Sequence, residues 1–173
     1  MILRKMLLVL PMVFAASLGK ADVPPLRPVV STLEGHLFDE DVGAWAVEDA
    51  FADGYVPYNK MSTPLLVVAT IDFGKVCAMP RPSSDELRQK APLSRPRACE
   101  KLVGSLSVTM RYGDGSQERQ DVALSKFSPG PDGTLHVPVL FYRRSPCVHV
   151  EVAAQTSFRT PPAVRKVNFV CHE

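Results

Sequence analysis

The sequence predicts a mainly β protein, with antiparallel sheets packed as a sandwich, one or two short helices and two disulfides. Three observations carry this. Six apolar-rich or alternating runs fill residues 64–173, with turn signals between them. No helix-length spacer separates the final five, which favours antiparallel pairing over a βαβ arrangement. Four cysteines, Cys77, Cys99, Cys147 and Cys171, follow an N-terminus that has the order of an export signal, and an even cysteine count in an oxidising compartment implies bridges.

That N-terminus is "MILRKMLLVLPMVFAASLGKA". Arg4 and Lys5 precede an apolar run from Met6 to Leu18, and small residues stand at Gly19 and Ala21, so cleavage is expected after Ala21. Pro11 interrupts the apolar run, which falls short of the ~20 residues that a membrane span needs. The expected product is exported, periplasmic or secreted, and soluble after cleavage. The full chain has 20 Lys plus Arg against 18 acids; Arg4, Lys5 and Lys20 leave with the signal, so 17 face 18. That balance gives no reason to expect a nucleic acid or a membrane surface as partner.

Residues 22–35, with three prolines and little periodicity, are expected to be an extended lead-in, ordered only if something pins them. Residues 36–173 form the single domain. In "FDEDVGAWAVEDAFADGYVPY" the acids Asp39, Glu40 and Asp41 precede Val42, Trp45 and Ala46 at helical spacing, which predicts a short helix ended by Gly54 and Pro57. From Pro64 the period changes. "LLVVATIDF", Leu65 to Phe73, is β-branched and bounded by Pro64 and Gly74, as a buried strand would be. "LSVTMRY" sets Leu106, Val108, Met110 and Tyr112 on one face and Ser107, Thr109 and Arg111 on the other. "GDGS" then turns the chain into "QERQDVAL", forming a hairpin. "TLHVPVLFY" turns Leu135, Val137, Val139 and Phe141 inward, and Pro138, lacking a donor, predicts an edge strand or a bulge. "VHVEVAA" and "AVRKVNFV" complete the set. The "VTMRYGDGSQ" hairpin and the strand rhythm after it resemble bacterial immunoglobulin-type modules, and this resemblance implies an immunoglobulin-like sandwich.

Residues 78–98 depart from the pattern. They hold four prolines, a capping-box spacing at Ser83 and Glu86, and Arg81, Arg88, Lys90, Arg95 and Arg97 against only Asp85 and Glu86. Four cysteines allow three connectivities. Pairing nearest neighbours, Cys77 with Cys99 and Cys147 with Cys171, closes the shortest loops and staples this excursion at its base.

Cys147, His149 and Glu151 alternate along one strand and so share a face, and Cys171 and His172 follow in the last strand. With reduced sulfurs, Cys147, His149, Cys171 and His172 would suit copper or zinc. An oxidising compartment favours a disulfide instead, with polar neighbours on the outer face. Parity complicates that bridge, because Cys171 follows Val167 and Phe169 onto the core face while Cys147 lies on the polar face. Either a bend at Pro146 places Cys147 ahead of the regular strand, which is the favoured reading, or Cys171 lies past the strand end, or the nearest-neighbour pairing is wrong. His36 and His136 stand alone, and the acids Asp39, Glu40, Asp41, Glu48 and Asp49 around Trp45 follow the spacing of a charged helix face more closely than that of a catalytic pair. No nucleophile elbow, His-Glu-x-x-His pair, P-loop or dinucleotide fingerprint is present.

The expectation is an exported, non-enzymatic binding protein without a cofactor. Its partner would be another protein in the envelope or outside the cell, of inhibitor, immunity or envelope-accessory type. Arg81, Arg88, Lys90, Arg95 and Arg97 would form the binding surface, with Arg143 and Arg144 extending it if they lie nearby.

Overall fold

The computed structural model describes residues 27–56, 63–79, 99–145 and 147–170. The leader, most of the excursion with its five cations and its capping box, Pro146, Cys171 and His172 lie outside the described residues.

Nine strands form two sheets among the described residues. β1 (Val29–Asp39), β2 (Ala44–Trp45), β4 (Pro64–Asp72) and β7 (Thr134–Tyr142) make a four-stranded sheet in the order β2-β1-β4-β7. β3 (Tyr55–Val56), β5 (Ser105–Tyr112), β6 (Gln117–Ala123), β8 (His149–Thr156) and β9 (Ala163–Phe169) make a five-stranded sheet in the order β3-β9-β8-β5-β6. Every pairing is antiparallel except the short contact of β3 with β9.

Alternation decides which side of each strand is buried. Leu65, Val67, Ala69 and Ile71 from β4 and Leu135, Val137, Val139 and Phe141 from β7 are buried. They join Leu106, Val108 and Met110 of β5, Val150, Val152 and Ala154 of β8, and Val167 and Phe169 of β9 in one apolar cluster. Each fully buried Val, Leu or Phe is worth about 1.5–3 kcal/mol relative to exposure, so this shared cluster is what holds the sheets as a unit.

β7 is an outermost strand, as Pro138 requires, because the position needs no ladder donor. Its Leu140 carbonyl accepts a hydrogen bond from Gln120 Nε2 of β6 at 2.5 Å, which ties the outer strands of the two sheets together. Cys77 is bonded to Cys99, as the shortest-loop argument expects, with Cα atoms 5.6 Å apart. This is the one bridge with both cysteines among the described residues; Cys171 lies outside them, and no free cysteine is found among those described.

Two expectations are corrected. Residues 39–53 are not a helix. Asp39 Oδ1 accepts the backbone N–H groups of Asp41 (3.0 Å) and Val42 (3.1 Å), which makes a turn, and Gly43 takes a positive φ of 71°. Asp competes for backbone donors in this way wherever it starts a turn, and the chain folds back so that Trp45 pairs with Phe38. The helical elements that lie wholly within the described residues are single 3-10 turns, at Gly74–Val76 and Leu124–Lys126. The second half of the expected lead-in is a strand. β1 begins at Val29, and a bulge between Val30 and Thr32 breaks the alternation that would have revealed it. Thr156 Oγ1 donates to the Pro28 carbonyl at 3.1 Å and supplies the pin. Cys147 stands ahead of the regular strand, as the parity argument expects, since β8 starts at His149. No helix among the described residues is long and apolar enough to cross a membrane.

Candidate functional site

The foot of the Pro/Arg-rich excursion is firmly built. β4 ends at Asp72, whose Oδ1 accepts the Gly74 N–H at 2.6 Å, and the Phe73 N–H donates to the Gly133 carbonyl at 3.1 Å. The Met79 N–H donates to the Pro131 carbonyl at 2.8 Å. Gly133, at φ 85°, allows this approach, because a Cβ there would lie 2.7 Å from the Gly74 carbonyl oxygen. Both sulfurs are fully buried beneath. The loops β4–β5, β6–β7 and β8–β9 therefore leave the same end of the two sheets. Arg81, Arg88, Lys90, Arg95 and Arg97 themselves lie outside the described residues.

Arg143 and Arg144 lie at the opposite end of the sheet from the foot of the excursion. β7 runs antiparallel to β4, with Thr134 opposite Asp72 and Tyr142 opposite Pro64, so the two arginines sit at the far end. Nine strand residues span ~30 Å. Arg143 is buried, its guanidinium carbon 3.7 Å from the Phe169 ring centroid, and burial pulls its pKa down to about 10. Arg144 lies 4.9 Å from the Tyr112 ring centroid and 3.6 Å from Glu118, and it donates to Ser116 Oγ at 2.9 Å. The Tyr112 hydroxyl donates to Glu118 at 3.1 Å, and burial together with that carboxylate pushes its pKa up to about 12. Both arginines lock the hairpin end of the five-stranded sheet.

Cys147 precedes β8, and its N–H donates to Ser145 Oγ at 3.2 Å. His149 faces solvent opposite Asn168, and Val148 accepts the Phe169 N–H at 3.0 Å, so Cys147 stands beside the end of β9. Glu151 shares the outer face with His149 but is already engaged: Arg111 lies 3.4 Å from one carboxylate oxygen and Lys166 3.4 Å from the other. No group of three potential metal ligands occurs among the described residues. His36 Nδ1 donates to the Ala46 carbonyl at 3.0 Å, and His136 shares a hydrogen bond with Thr70 at 3.0 Å. Asp49 Oδ1 accepts the N–H groups of Gly35 and Phe51, at 2.7 and 3.0 Å. These groups shape the fold locally.

Register brings together two surfaces that spacing alone did not reveal. On the outer face of the five-stranded sheet, Ser107 lies opposite Asp121 and Thr109 opposite Arg119 and Ala153. Arg119 bonds both Asp121 oxygens (2.9–3.2 Å) and Ser107 Oγ (2.8 Å), and Ser107 also bonds Asp121. These bonds, that from Arg119 first, hold the Asp121 carboxyl below its usual pKa. The face is a closed polar network over a floor of small residues.

The outer face of the four-stranded sheet is the opposite. Trp45 pairs with Phe38, and Pro64 with Tyr142, so these four residues share one face. The Phe38 and Trp45 rings meet edge to face, with centroids 5.3 Å apart. The next positions on this face are Leu66 opposite Leu140 and Val68 opposite Pro138. Leu66, Val68 and Leu140 are half-buried, Pro138 is exposed, and Tyr142 is 63% exposed. The "LLVVATIDF" run is the buried strand expected, with Leu65, Val67, Ala69 and Ile71 fully buried, while Leu66 and Val68 on its other face are only half-buried. Pairing each of its residues with a partner in β7 was what the sequence lacked.

No family model, curated protein or solved structure matches this chain.

Proposed function

We propose that the chain is an exported, non-enzymatic binding protein, an immunoglobulin-like β-sandwich that holds another protein through the loops at its Cys77–Cys99 end. The strand order supports the sandwich. Immunoglobulin domains place strands A, B and E in one sheet and C, F and G in the other. β1, β4 and β7 take the first set of positions, and β5, β8 and β9 the second. β6 extends β5 as the additional strand of variable-type domains does, and β3 lies beside β9 as a short parallel edge.

The observation that carries the binding reading is the bridge from Cys77 to Cys99, 22 residues apart in sequence, with its foot bonded to the β6–β7 loop. A covalent closure at the base of a cationic loop lowers the entropy cost of presenting it to a partner. A partner of inhibitor, immunity or envelope-accessory type fits this design, as does an acidic binding surface opposite Arg81, Arg88, Lys90, Arg95 and Arg97. The test is capture of a specific partner from envelope extract by the bridged protein, repeated after Arg81, Arg88, Arg95 and Arg97 are changed to Ser. Loss of the partner is the expected result, and undiminished capture would overturn the assigned surface.

A further inference from the structure

The apolar outer face of the four-stranded sheet lies away from the Cys77–Cys99 end and serves no purpose in the reading above. Its Trp45–Phe38 and Pro64–Tyr142 pairs stand at the end of β4 where Pro64 begins. Tyr142 and Pro138 are exposed and Phe38, Trp45 and Pro64 half-buried; a contiguous, partly exposed apolar patch of this kind marks an interaction site more often than a solvent face, and Trp and Tyr are the side chains that most often anchor one.

Charge selects the occupant. Asp39, Glu40 and Asp41 follow Phe38 directly in an exposed turn, and Val42, 74% exposed, continues the apolar surface among them. Glu34 stands on the same face as Phe38, beside His36 at 3.8 Å. Residues 29–54, 64–72 and 134–142 contain no lysine or arginine. An anionic membrane would be repelled by this rim, and a second copy laid face to face would set acid against acid. We infer that this face is a second docking surface, for a protein segment that presents apolar side chains flanked by lysine or arginine. The apolar residues would cover the aromatic row, and the cations would meet Glu40 and Asp41.

Trp45 is the single tryptophan of the chain, so its fluorescence reports on this surface directly. The purified chain is titrated with a ten-residue peptide alternating Leu and Lys, and with the matching peptide of Leu and Glu. Saturable change in Trp45 emission is expected with the first alone, weakening as salt is raised. The exposed-site variants Glu40→Lys with Asp41→Lys, and separately Tyr142→Asp, should each weaken it about tenfold or more. The variants with Arg81, Arg88, Arg95 and Arg97 changed to Ser should bind the peptide as the parent does, which separates this surface from the cationic loops. Four results would overturn the inference: no emission change, an equal response to the Leu–Glu peptide, stronger binding to phosphatidylglycerol vesicles, or concentration-dependent dimerisation abolished by Tyr142→Asp.

Discussion

The four-stranded sheet, with the 39–53 segment between its strands, carries eight carboxylates and no lysine or arginine, whereas the strands of the five-stranded sheet hold four cations and three acids. Inside, the two sheets are alike: alternate apolar residues enter one common cluster. Outside, one sheet neutralises itself through Arg111–Glu151–Lys166 and Arg119–Asp121, and the other has acids and aromatics without cations of its own. The core requires only the inward half of each alternation. The outward half was left open to be set by what each face meets, and that is where the sheets diverge.

The largest effects should strike what the sheets share. Phe141→Ala in β7 should cost about 3–5 kcal/mol and Met110→Ala in β5 about 2–5 kcal/mol in urea unfolding, because each opens a cavity in the same cluster. Both variants should unfold in a single transition; separate transitions for the two sheets would break the picture of a shared core. Replacing Cys77 and Cys99 together by Ser should cost about 3 kcal/mol for a loop of this length, read in the same experiment.

Smaller effects separate the outer faces. Arg119→Ala on the polar face should cost less than about 1 kcal/mol, since its ion pair is exposed. Tyr142→Ser on the apolar face should change stability by no more than about 0.5 kcal/mol yet reduce retention on a hydrophobic column, where Arg119→Ala should not. The gentlest test is acid titration. The folded state lowers the Asp121 pKa below 3.8, so its contribution is complete above that value and is lost as pH falls through the folded value. Asp121→Asn should therefore flatten the acid limb of the stability curve below about pH 4.

Much of this architecture was legible in the sequence. The β5–β6 hairpin, the inward set of β7, the edge position marked by Pro138 and the Cys77–Cys99 pairing all follow from period, turn chemistry and loop length. What escaped was set by tertiary partners. Asp39 and Asp49 resembled helix-face charges because one sequence cannot say which backbone N–H a carboxylate will find, and here they found those of a turn and of Gly35. β1 was hidden by its bulge and by prolines before it, and its pin at Thr156 lies 128 residues away. The apolar outer face was hidden in plain composition: Leu66 and Val68 look like core until register places them opposite Leu140 and Pro138.

The bond from Gln120 to the Leu140 carbonyl bears on how such a molecule avoids its own kind. An outermost strand with open carbonyls and amides is a template on which further chains can add and grow into fibres. At β7 the template is defective twice over, since Pro138 has no amide to offer and Gln120 already occupies a carbonyl two residues on. Growth along that side is stopped within the chain itself. The aromatic Tyr142 therefore stands on a strand whose open side is closed to addition of a further strand.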